Sequence, residues 1–230
     1  MDNAAREAGR PRPRLLAVSK HQPATAVAEL SSQWRVARPA AGSGAQTQPA
    51  FGENYVHEAV EKRAALAHLA LEWHLIGHLQ SNKARDAAMA FDWVQTVDRR
   101  RIADALARHR PPERQPLNVL IQVNIDEEPG KHGCHAGDVP ALASAILALP
   151  RLRLRGLMAI PAPFPDIERR RAAFARMKQL FDTLQPTHPT LDTLSMGMSG
   201  DFEEAIAEGA TMVRIGTALF GARPPREARP

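Results

Sequence analysis

The feature that most constrains the fold of this chain is a regular alternation of short apolar runs with amphipathic segments. Eight runs of five to eight residues are rich in Val, Ile, Leu and Met and are bounded by Gly, Pro, Ser or Asn. Runs of this composition are typical of strands that are buried on both faces. We therefore predict eight strands, at residues 15–19, 50–55, 73–79, 93–97, 118–125, 154–160, 191–197 and 211–216.

The segments between most of these runs are rich in Ala, Leu, Arg and Glu, with apolar residues three or four positions apart. This spacing predicts amphipathic helices, most clearly at residues 56–70, 99–109, 140–149, 167–184 and 202–208. Strands that alternate with helices pair in parallel through right-handed crossovers. Eight such units that close on themselves form a single (β/α)8 TIM barrel of the α/β class. An open doubly wound sheet is the competing architecture.

The chain has 230 residues and no linker that would divide it, so we expect a single domain over residues 1–230. Residues 35–50 are small, polar and rich in Pro and Gly, and they predict a flexible insertion between the first helix and the second strand. The eight units extend to Gly221, so only a short tail at residues 222–230 follows them. We therefore expect no second domain after the barrel.

The composition favours a globular protein of the reducing cytoplasm. The one cysteine, Cys134, cannot form an intramolecular disulfide, and the apolar runs are far shorter than the about 20 residues that cross a bilayer. Arginine triplets at 99–101 and 169–171, with a net charge of +5, raise nucleic-acid binding as a hypothesis. We interpret the triplets as solvated helix surface. We thus expect neither a membrane nor a nucleic acid as a partner.

The first candidate for chemistry is Lys20, which directly follows the first apolar run. In a TIM barrel the active site lies at the carboxyl ends of the strands. Partial burial there would lower the pKa of the Lys20 ammonium group, and the free amine would then attack a carbonyl to form a Schiff base. The competing interpretation is an ordinary surface lysine at the end of a strand.

The second candidate is a phosphate site in SMGMSGD (195–201) and VRIGTALFG (213–221), which start within the last two runs and continue beyond them. Barrels commonly bind phosphate after the seventh and eighth strands. Glycines allow close approach of the backbone to an anion, and hydroxyl groups donate to it; the residues concerned are Gly197, Gly200, Gly216, Ser195, Ser199 and Thr217. Asp201 and Glu204 fit a helix capping box. A lysine beside a phosphate cradle predicts a phosphorylated aldehyde, with pyridoxal 5′-phosphate (PLP) as the leading candidate.

Metal binding and thiol chemistry are weaker hypotheses. His74 and His78 on one strand would lie about 13 Å apart, too far to share an ion. His132, Cys134 and His135 offer metal-ligand types at too few useful positions. Cys134 would act as a nucleophile only in an electropositive, partly exposed niche. We therefore predict no metal site.

Several motifs together resemble a known family. LLAVSK, FGENYVHEAVEK, WHLIGHLQSNKAR, VLIQVNIDEEPGKHG, RGLMAIP and LSMGMSGDFEEAIAEGATMVRIGTALFGAR are similar to successive motifs of the pyridoxal phosphate homeostasis proteins, over about residues 15–223. The resemblance implies a single barrel of the alanine racemase N-terminal type that holds PLP as an internal aldimine. It also implies a carrier or regulator of intracellular vitamin B6 with no established reaction. The insertion at 35–50 and the short segment before Leu15 depart from the family pattern.

The resemblance also assigns roles to single residues. Lys20 matches the Schiff-base lysine, Arg214 the residue that faces the pyridine nitrogen, and Asn54 a polar neighbour of the cofactor. The phosphate site is matched by Ser195, Ser199 and the backbone of Gly216 and Thr217. A guanidinium group only donates hydrogen bonds, so the ring nitrogen would stay unprotonated. Such a ring is a poorer electron sink, which favours storage of the cofactor over catalysis.

An alternative function is that of a small PLP-dependent amino-acid racemase. Racemisation by two bases needs a second proton donor opposite the lysine, and Tyr55 is the only tyrosine in the chain. We therefore expect a protein with no catalytic residue. Enzymes that lack their PLP are the candidate recipients of the cofactor, and we expect a monomer.

Overall fold

Eight parallel strands form a closed barrel in their sequence order, and the last strand pairs with the first. The computed structural model describes residues 1–36, 48–162 and 164–221. The strands are β1 (Arg14–Val18), β2 (Ala50–Glu53), β3 (Glu72–Leu75), β4 (Trp93–Val97), β5 (Leu117–Val123), β6 (Leu152–Ala159), β7 (Thr193–Ser195) and β8 (Met212–Ile215). The predicted TIM barrel is confirmed, and each predicted strand has its counterpart.

Helices connect the strands and cover the outside of the barrel. They are α1 (Asp2–Glu7), α2 (Ala24–Val36), α3 (Val56–Ala65), α4 (Ala84–Ala90), α5 (Arg100–His109), α6 (Val139–Leu147), α7 (Ile167–Leu184), α8 (Phe202–Ala207) and α9 (Thr217–Phe220). The helix predicted at 56–70 ends at Ala65, because the backbone turns there while Leu66 and Leu71 still reach the core. Most of the predicted insertion, residues 37–47, and the tail at 222–230 lie outside the described residues.

Closure of the barrel brings the two ends of the sequence together. Leu16 of β1 pairs with Arg214 of β8, and Val18 of β1 pairs with Gly52 of β2. The carboxyl ends of β7, β8, β1 and β2 are therefore four consecutive neighbours at one end of the barrel. Functional residues that are up to two hundred positions apart in sequence can meet there.

The inside of the barrel is only partly apolar. One small cluster contains Leu16, Ala50, Ile76 and Met212, and another contains Trp93, Leu120 and Met158. Alternate side chains of each strand point inward, and the buried polar side chains of several strands lie among these two clusters. They include His74, Gln95, Ser195 and Arg214. The polar residues therefore form a large part of the interior of this barrel.

Of the helices in the three described ranges, none combines the length and the apolar character that crossing a membrane requires.

Candidate cofactor site

The residues predicted to form the site come together at the carboxyl end of the barrel. Each predicted residue lies in one of four neighbouring strands or in the segment that follows it. Lys20 and Asn54 follow β1 and β2, Ser195 ends β7 and Ser199 lies in the loop after it, Arg214 lies in β8, and Gly216 and Thr217 follow β8. This is the end of the fold where barrels carry their sites.

Lys20 is half-buried and lies two residues beyond the end of β1. Leu16 belongs to an apolar cluster inside the barrel, and Val18 packs against it. Side chains alternate along a strand, so Lys20 is the next residue on the same side as Leu16 and Val18. It lies at the carboxyl end of β1, at the mouth of the barrel. The other four lysines of the chain, Lys62, Lys83, Lys131 and Lys178, do not directly follow a barrel strand.

The backbone on both sides of Lys20 is held by a group of charged side chains, of which Glu53 and Lys62 are buried and Glu58 is partly exposed. The Ser19 hydroxyl donates to Glu53 Oε1 at 2.5 Å, and Lys62 Nζ donates to the Ser19 carbonyl oxygen at 2.6 Å. After Lys20, the His21 backbone N–H donates to Glu58 Oε1 at 2.6 Å. His21 takes a φ of 63°, which turns the chain toward α2.

Lys62 connects the groups that hold the backbone on the two sides of Lys20. Its Nζ lies 2.8 Å from Glu53 Oε1 and 2.7 Å from Glu58 Oε1, and Glu53 is fully buried. Burial raises the pKa of Glu53, and Lys62 and the Ser19 hydroxyl oppose that rise. The sequence analysis did not predict this group of charges, although Glu53 and Lys62 lie only nine positions apart in the sequence. The group can hold Ser19 only because β1 pairs with β2, which brings Ser19 next to Glu53.

Asn54 is fixed from the side of β3. A Cβ atom on Gly77 would lie 2.1 Å from the Asn54 carbonyl oxygen, so only glycine allows the two strand ends to approach this closely. The Gly77 carbonyl in turn accepts a hydrogen bond from Thr96 Oγ1 at 2.9 Å. The placement of Asn54 therefore depends on a missing side chain in the neighbouring segment.

Gly77→Ala is expected to destabilise the protein by about 1–3 kcal/mol, because the methyl group forces the ends of β2 and β3 apart. Urea unfolding measures the change. Gly137→Ala is the matched control, since a Cβ there meets nothing within 4 Å, and we expect it to leave the stability nearly unchanged. Equal unfolding midpoints for the two variants would contradict the packing described for Asn54.

The loop between β7 and α8 has a backbone that requires glycine at one position. Gly197 has a φ of 89°, and a Cβ there would lie 2.5 Å from the Cβ of Ala205. The Gly197 carbonyl accepts from the Arg214 backbone N–H at 3.0 Å, which ties the loop to β8. Ser199 and Gly200 are exposed at the tip of the loop, where their donors can reach a ligand.

The predicted capping box of Asp201 and Glu204 does not form. Asp201 stands at the N-cap of α8 without a side-chain cap hydrogen bond, and its Oδ1 accepts from the Met198 backbone N–H at 2.6 Å. Glu204 Oε1 instead accepts from Arg170 Nη2 at 2.6 Å. Both carboxylates have closer donors than the backbone of α8, and Asp201 closes the loop that carries Ser199.

Gly216 and Thr217 continue this surface after β8. A Cβ on Gly216 would lie 3.3 Å from the Val18 carbonyl oxygen, so glycine leaves a small recess beside the end of β1. The Thr217 side chain is exposed next to it. Backbone and hydroxyl donors thus lie beside the strand that leads to Lys20.

Arg214 and Ser195 are buried side by side. Arg214 Nη1 donates to Ser195 Oγ at 2.8 Å and Nη2 donates to the Ala159 carbonyl oxygen at 2.8 Å. Ser195 Oγ donates to Gln95 Oε1 at 2.7 Å. Burial lowers the pKa of Arg214 to about 10, so the group remains charged at neutral pH. The Ser195 hydroxyl therefore contacts Arg214 and Gln95 inside the barrel, whereas the sequence suggested a contact with phosphate.

The other candidates from the sequence have structural partners. Members of both arginine triplets form ion pairs with carboxylates of the same chain, Arg99 with Asp98, Arg100 with Asp104, Arg170 with Glu204 and Arg171 with Glu208. Cys134 is buried, and burial raises the pKa of its thiol to about 12. Within the described ranges, no group of three or more His, Cys, Asp or Glu residues is placed to hold a metal ion.

Comparison with known proteins gives a consistent result. A model of the family described as alanine racemase, N-terminal domain, matches residues 2–224. The pyridoxal phosphate homeostasis protein of Pseudomonas aeruginosa is 54% identical over 209 residues, which are 91% of this chain and 84% of that protein. An alanine racemase of Clostridium difficile shares the fold, with 14% identity and a TM-score of 0.69 over 97% of this chain and 56% of that one.

PipY of Synechococcus elongatus is similar over nearly its whole length. Its structure without PLP is 37% identical to this chain, with a TM-score of 0.79 and coverage of 96% of this chain and 99% of PipY. Its structure with PLP bound is 36% identical, with a TM-score of 0.78 and coverage of 95% and 98%. This chain therefore belongs to the alanine racemase N-terminal domain family, among the pyridoxal phosphate homeostasis proteins.

Proposed function

We propose that this protein binds PLP, holds it as a Schiff base with Lys20, and acts in the cytoplasm as a carrier of the cofactor without a reaction of its own. The observation that carries the proposal is the position of Lys20 just beyond the end of β1, next to β8, which carries Arg214 and is followed by the recess at Gly216. The PLP-bound structure of PipY and the name of the Pseudomonas relative support it.

The residues at the mouth of the barrel fit the parts of PLP. Lys20 would hold PLP through its amine, and condensation with the aldehyde of the cofactor would form a C=N bond and release one water molecule. Lys20 is half-buried, so access of bulk water to its amine is limited. The hydrogen bonds at Ser19 and His21 keep Lys20 in place for this step.

Arg214 fits the pyridine nitrogen. A guanidinium group has five N–H donors and no acceptor, and the bonds to Ser195 and Ala159 use two of them. A further N–H can donate to the ring nitrogen, which then has to remain an unprotonated acceptor. This arrangement limits withdrawal of electrons into the ring and favours holding the cofactor over transforming an amino acid.

The loop donors fit the phosphate group. Ser199 and Thr217 are exposed, and the glycines at 197, 200 and 216 keep side chains away from the adjacent backbone. Backbone N–H groups and hydroxyls of this kind bind phosphate in many barrels. We propose that Ser199, Thr217 and the Gly216 backbone bind the phosphate, that Asn54 lies beside the cofactor, and that Ser195 acts through Arg214.

The proposed phosphate contact is tested by comparing PLP with pyridoxal, which lacks the phosphate. We expect Ser199→Ala to weaken PLP binding about tenfold, the effect of losing one hydrogen bond to a charged group, and to leave pyridoxal binding unchanged. Absorbance titration of the purified variant measures both affinities. An equal loss for the two ligands would contradict a phosphate contact at Ser199.

Racemisation of amino acids remains the competing function, and Tyr55 is the residue that it would need. Tyr55 is 44% exposed, and the centre of its ring lies 5.6 Å from that of His21, the neighbour of Lys20. The ring therefore stands at the rim of the barrel. Turnover of an alanine enantiomer well above that of free PLP, lost in Tyr55→Phe, would favour this function.

A carrier of PLP needs a partner that receives the cofactor. We propose that enzymes lacking PLP take the cofactor from a monomeric protein. The test supplies such an enzyme with either loaded protein or an equal amount of free PLP, in the presence of a phosphatase that destroys free PLP. Faster recovery of activity from the loaded protein supports transfer, and recovery no better than with free PLP would contradict it.

A further inference from the structure

A continuous row of hydrogen bonds crosses the inside of the barrel and ends at Arg214. We call it the interior chain, and it consists of Arg14, Glu72, His74, Gln95, Ser195 and Arg214. Arg14 Nη2 and His74 Nε2 each lie 2.7 Å from Glu72 Oε1. His74 Nδ1 lies 2.9 Å from Gln95 Nε2, and Gln95 connects to Arg214 through Ser195.

The donor and the acceptor in each of these hydrogen bonds can be assigned by starting from Arg214, which has no acceptor. Arg214 only donates, so Ser195 Oγ accepts from it and gives its own proton to Gln95 Oε1. The Gln95 amide nitrogen then faces His74 Nδ1, and its contact of 3.2 Å with Met212 Sδ, a weak acceptor, agrees with this orientation. His74 therefore accepts at Nδ1 and donates from Nε2 to the Glu72 carboxylate.

Burial keeps these roles fixed. Gln95, His74 and Ser195 have no exposed surface, and burial lowers the pKa of His74 although Glu72 opposes this. Burial would raise the pKa of Glu72, but the hydrogen bonds and charges of His74 and Arg14 outweigh it and hold this pKa well below its usual range. A neutral imidazole with its proton on Nε2 and an ionised carboxylate are the states that the interior chain requires.

The interior chain is an unusual filling for a barrel core. TIM barrels fill this space mainly with layers of branched apolar side chains, and buried polar groups stabilise a fold less than apolar packing does unless every group is paired. Here each side chain from Arg214 to Glu72 has a partner. The row has a guanidinium group at each end, and the one nearer the candidate cofactor site is that of Arg214. A role in orienting that group explains why polar residues occupy the space.

We propose that Ser195, Gln95 and His74 are positioning residues that hold the Arg214 guanidinium in the plane needed to meet the cofactor ring. The inference rests on the proposed function, since it takes the pyridine nitrogen as the group that Arg214 meets. Ser195 fixes Nη1 while the Ala159 carbonyl fixes Nη2, so neither nitrogen can turn away. Gln95 and His74 lie one and two places further along the interior chain than Ser195 and would act on Arg214 only through it.

The test uses Ser195→Ala and Gln95→Met in the full-length protein, titrated with PLP and with pyridoxal. Loss of orientation at Arg214 affects the ring, which both ligands share. We therefore expect each variant to weaken the binding of both ligands by the same factor, about fivefold, because the lost hydrogen bond acts on the ligand only through Arg214. We also expect each variant to shift the visible band of the Schiff base. Ser31→Ala is the matched control, because its buried hydroxyl finds no partner among the described residues, and it should change neither quantity.

The outcomes separate the inference from the function on which it rests. Weaker PLP binding by Ser195→Ala with unchanged pyridoxal binding would assign Ser195 to the phosphate and overturn the inference. Unchanged affinities and band positions in both variants would overturn it as well, with PLP binding by the wild type intact. A merely structural role lowers the melting temperature without moving the band. If Gln95→Met does not fold, Ser195→Ala, which removes a single oxygen atom, decides between these results. A wild-type protein without a Schiff-base band would overturn the proposed function itself.

Discussion

Lys20→Ala is expected to abolish covalent binding of PLP. The variant has no amine at the end of β1 to condense with the aldehyde, so the visible band of the Schiff base disappears and borohydride fixes no cofactor to the protein. Arg214 and the phosphate loop remain in place, so weak non-covalent binding survives. We expect its affinity to be lower by at least about tenfold, which corresponds to about 1.4 kcal/mol.

Two other variants make the result for Lys20 specific. Lys20→Arg retains the positive charge but cannot form a Schiff base under the same conditions, so it should behave like Lys20→Ala. Lys131→Ala removes a lysine of the loop after β5 that is paired with Glu128, and it should retain the band. A visible band of normal intensity in Lys20→Ala would show that another amine holds the aldehyde.

Lys62→Met is expected to have the largest effect on stability. It leaves Glu53 fully buried without its cation, and breaking a buried ion pair in this way costs about 3–5 kcal/mol. For a domain of this size the loss lowers the melting temperature by about 10 °C. Because Lys62 also holds the Ser19 carbonyl, we expect weaker PLP binding in the fraction that stays folded.

Lys178→Met is the matched control for this loss of charge. Lys178 and Asp182 form a pair on one helix whose side chains are 31% and 51% exposed, and such pairs contribute less than about 1 kcal/mol. Urea unfolding of both variants measures the difference. Equal losses of stability for Lys62→Met and Lys178→Met would contradict the role of Lys62 as the counter-charge of Glu53.

The pH dependence of Lys62→Met follows from Glu53. Burial raises the pKa of Glu53 in the native protein above the ordinary value of 4.5, against the effect of Lys62, and without Lys62 the pKa rises further. A raised carboxyl pKa means that the folded state binds more protons, so this contribution is fully present below the unfolded value and is lost as the pH rises through the folded value. The stability deficit of Lys62→Met should therefore narrow as the pH is lowered toward 4.5.

The strands were predictable because each is covered on both sides. Parallel barrel strands meet helices outside and side chains inside, so they appear in the sequence as continuous apolar runs. The strand predicted at 73–79 is longer than the strand observed, because β3 ends at Leu75. Ile76 and Leu79 are buried in the loop that follows it. Burial alone does not mark the residue at which hydrogen-bonded pairing stops.

The position of Lys20 was predictable once the barrel was, because a polar residue directly after an apolar run lies at the carboxyl end of a strand, where barrels carry their sites. The partners of Ser195 were not predictable. A hydroxyl at the end of β7 can face a ligand or the interior, and the choice depends on Gln95, one hundred positions away. The Glu53 and Lys62 pair likewise depends on the way in which α3 packs over β1 and β2.

Borohydride reduction of the PLP-loaded protein, followed by mass spectrometry of its peptides, tests the proposed site most directly. Reduction converts the C=N bond into a stable amine and leaves the cofactor on the residue that held it. We expect the added mass on the peptide that contains Lys20, and Lys62, Lys83, Lys131 and Lys178 unmodified. Modification of another lysine in place of Lys20, or no stable addition, would contradict PLP binding through Lys20.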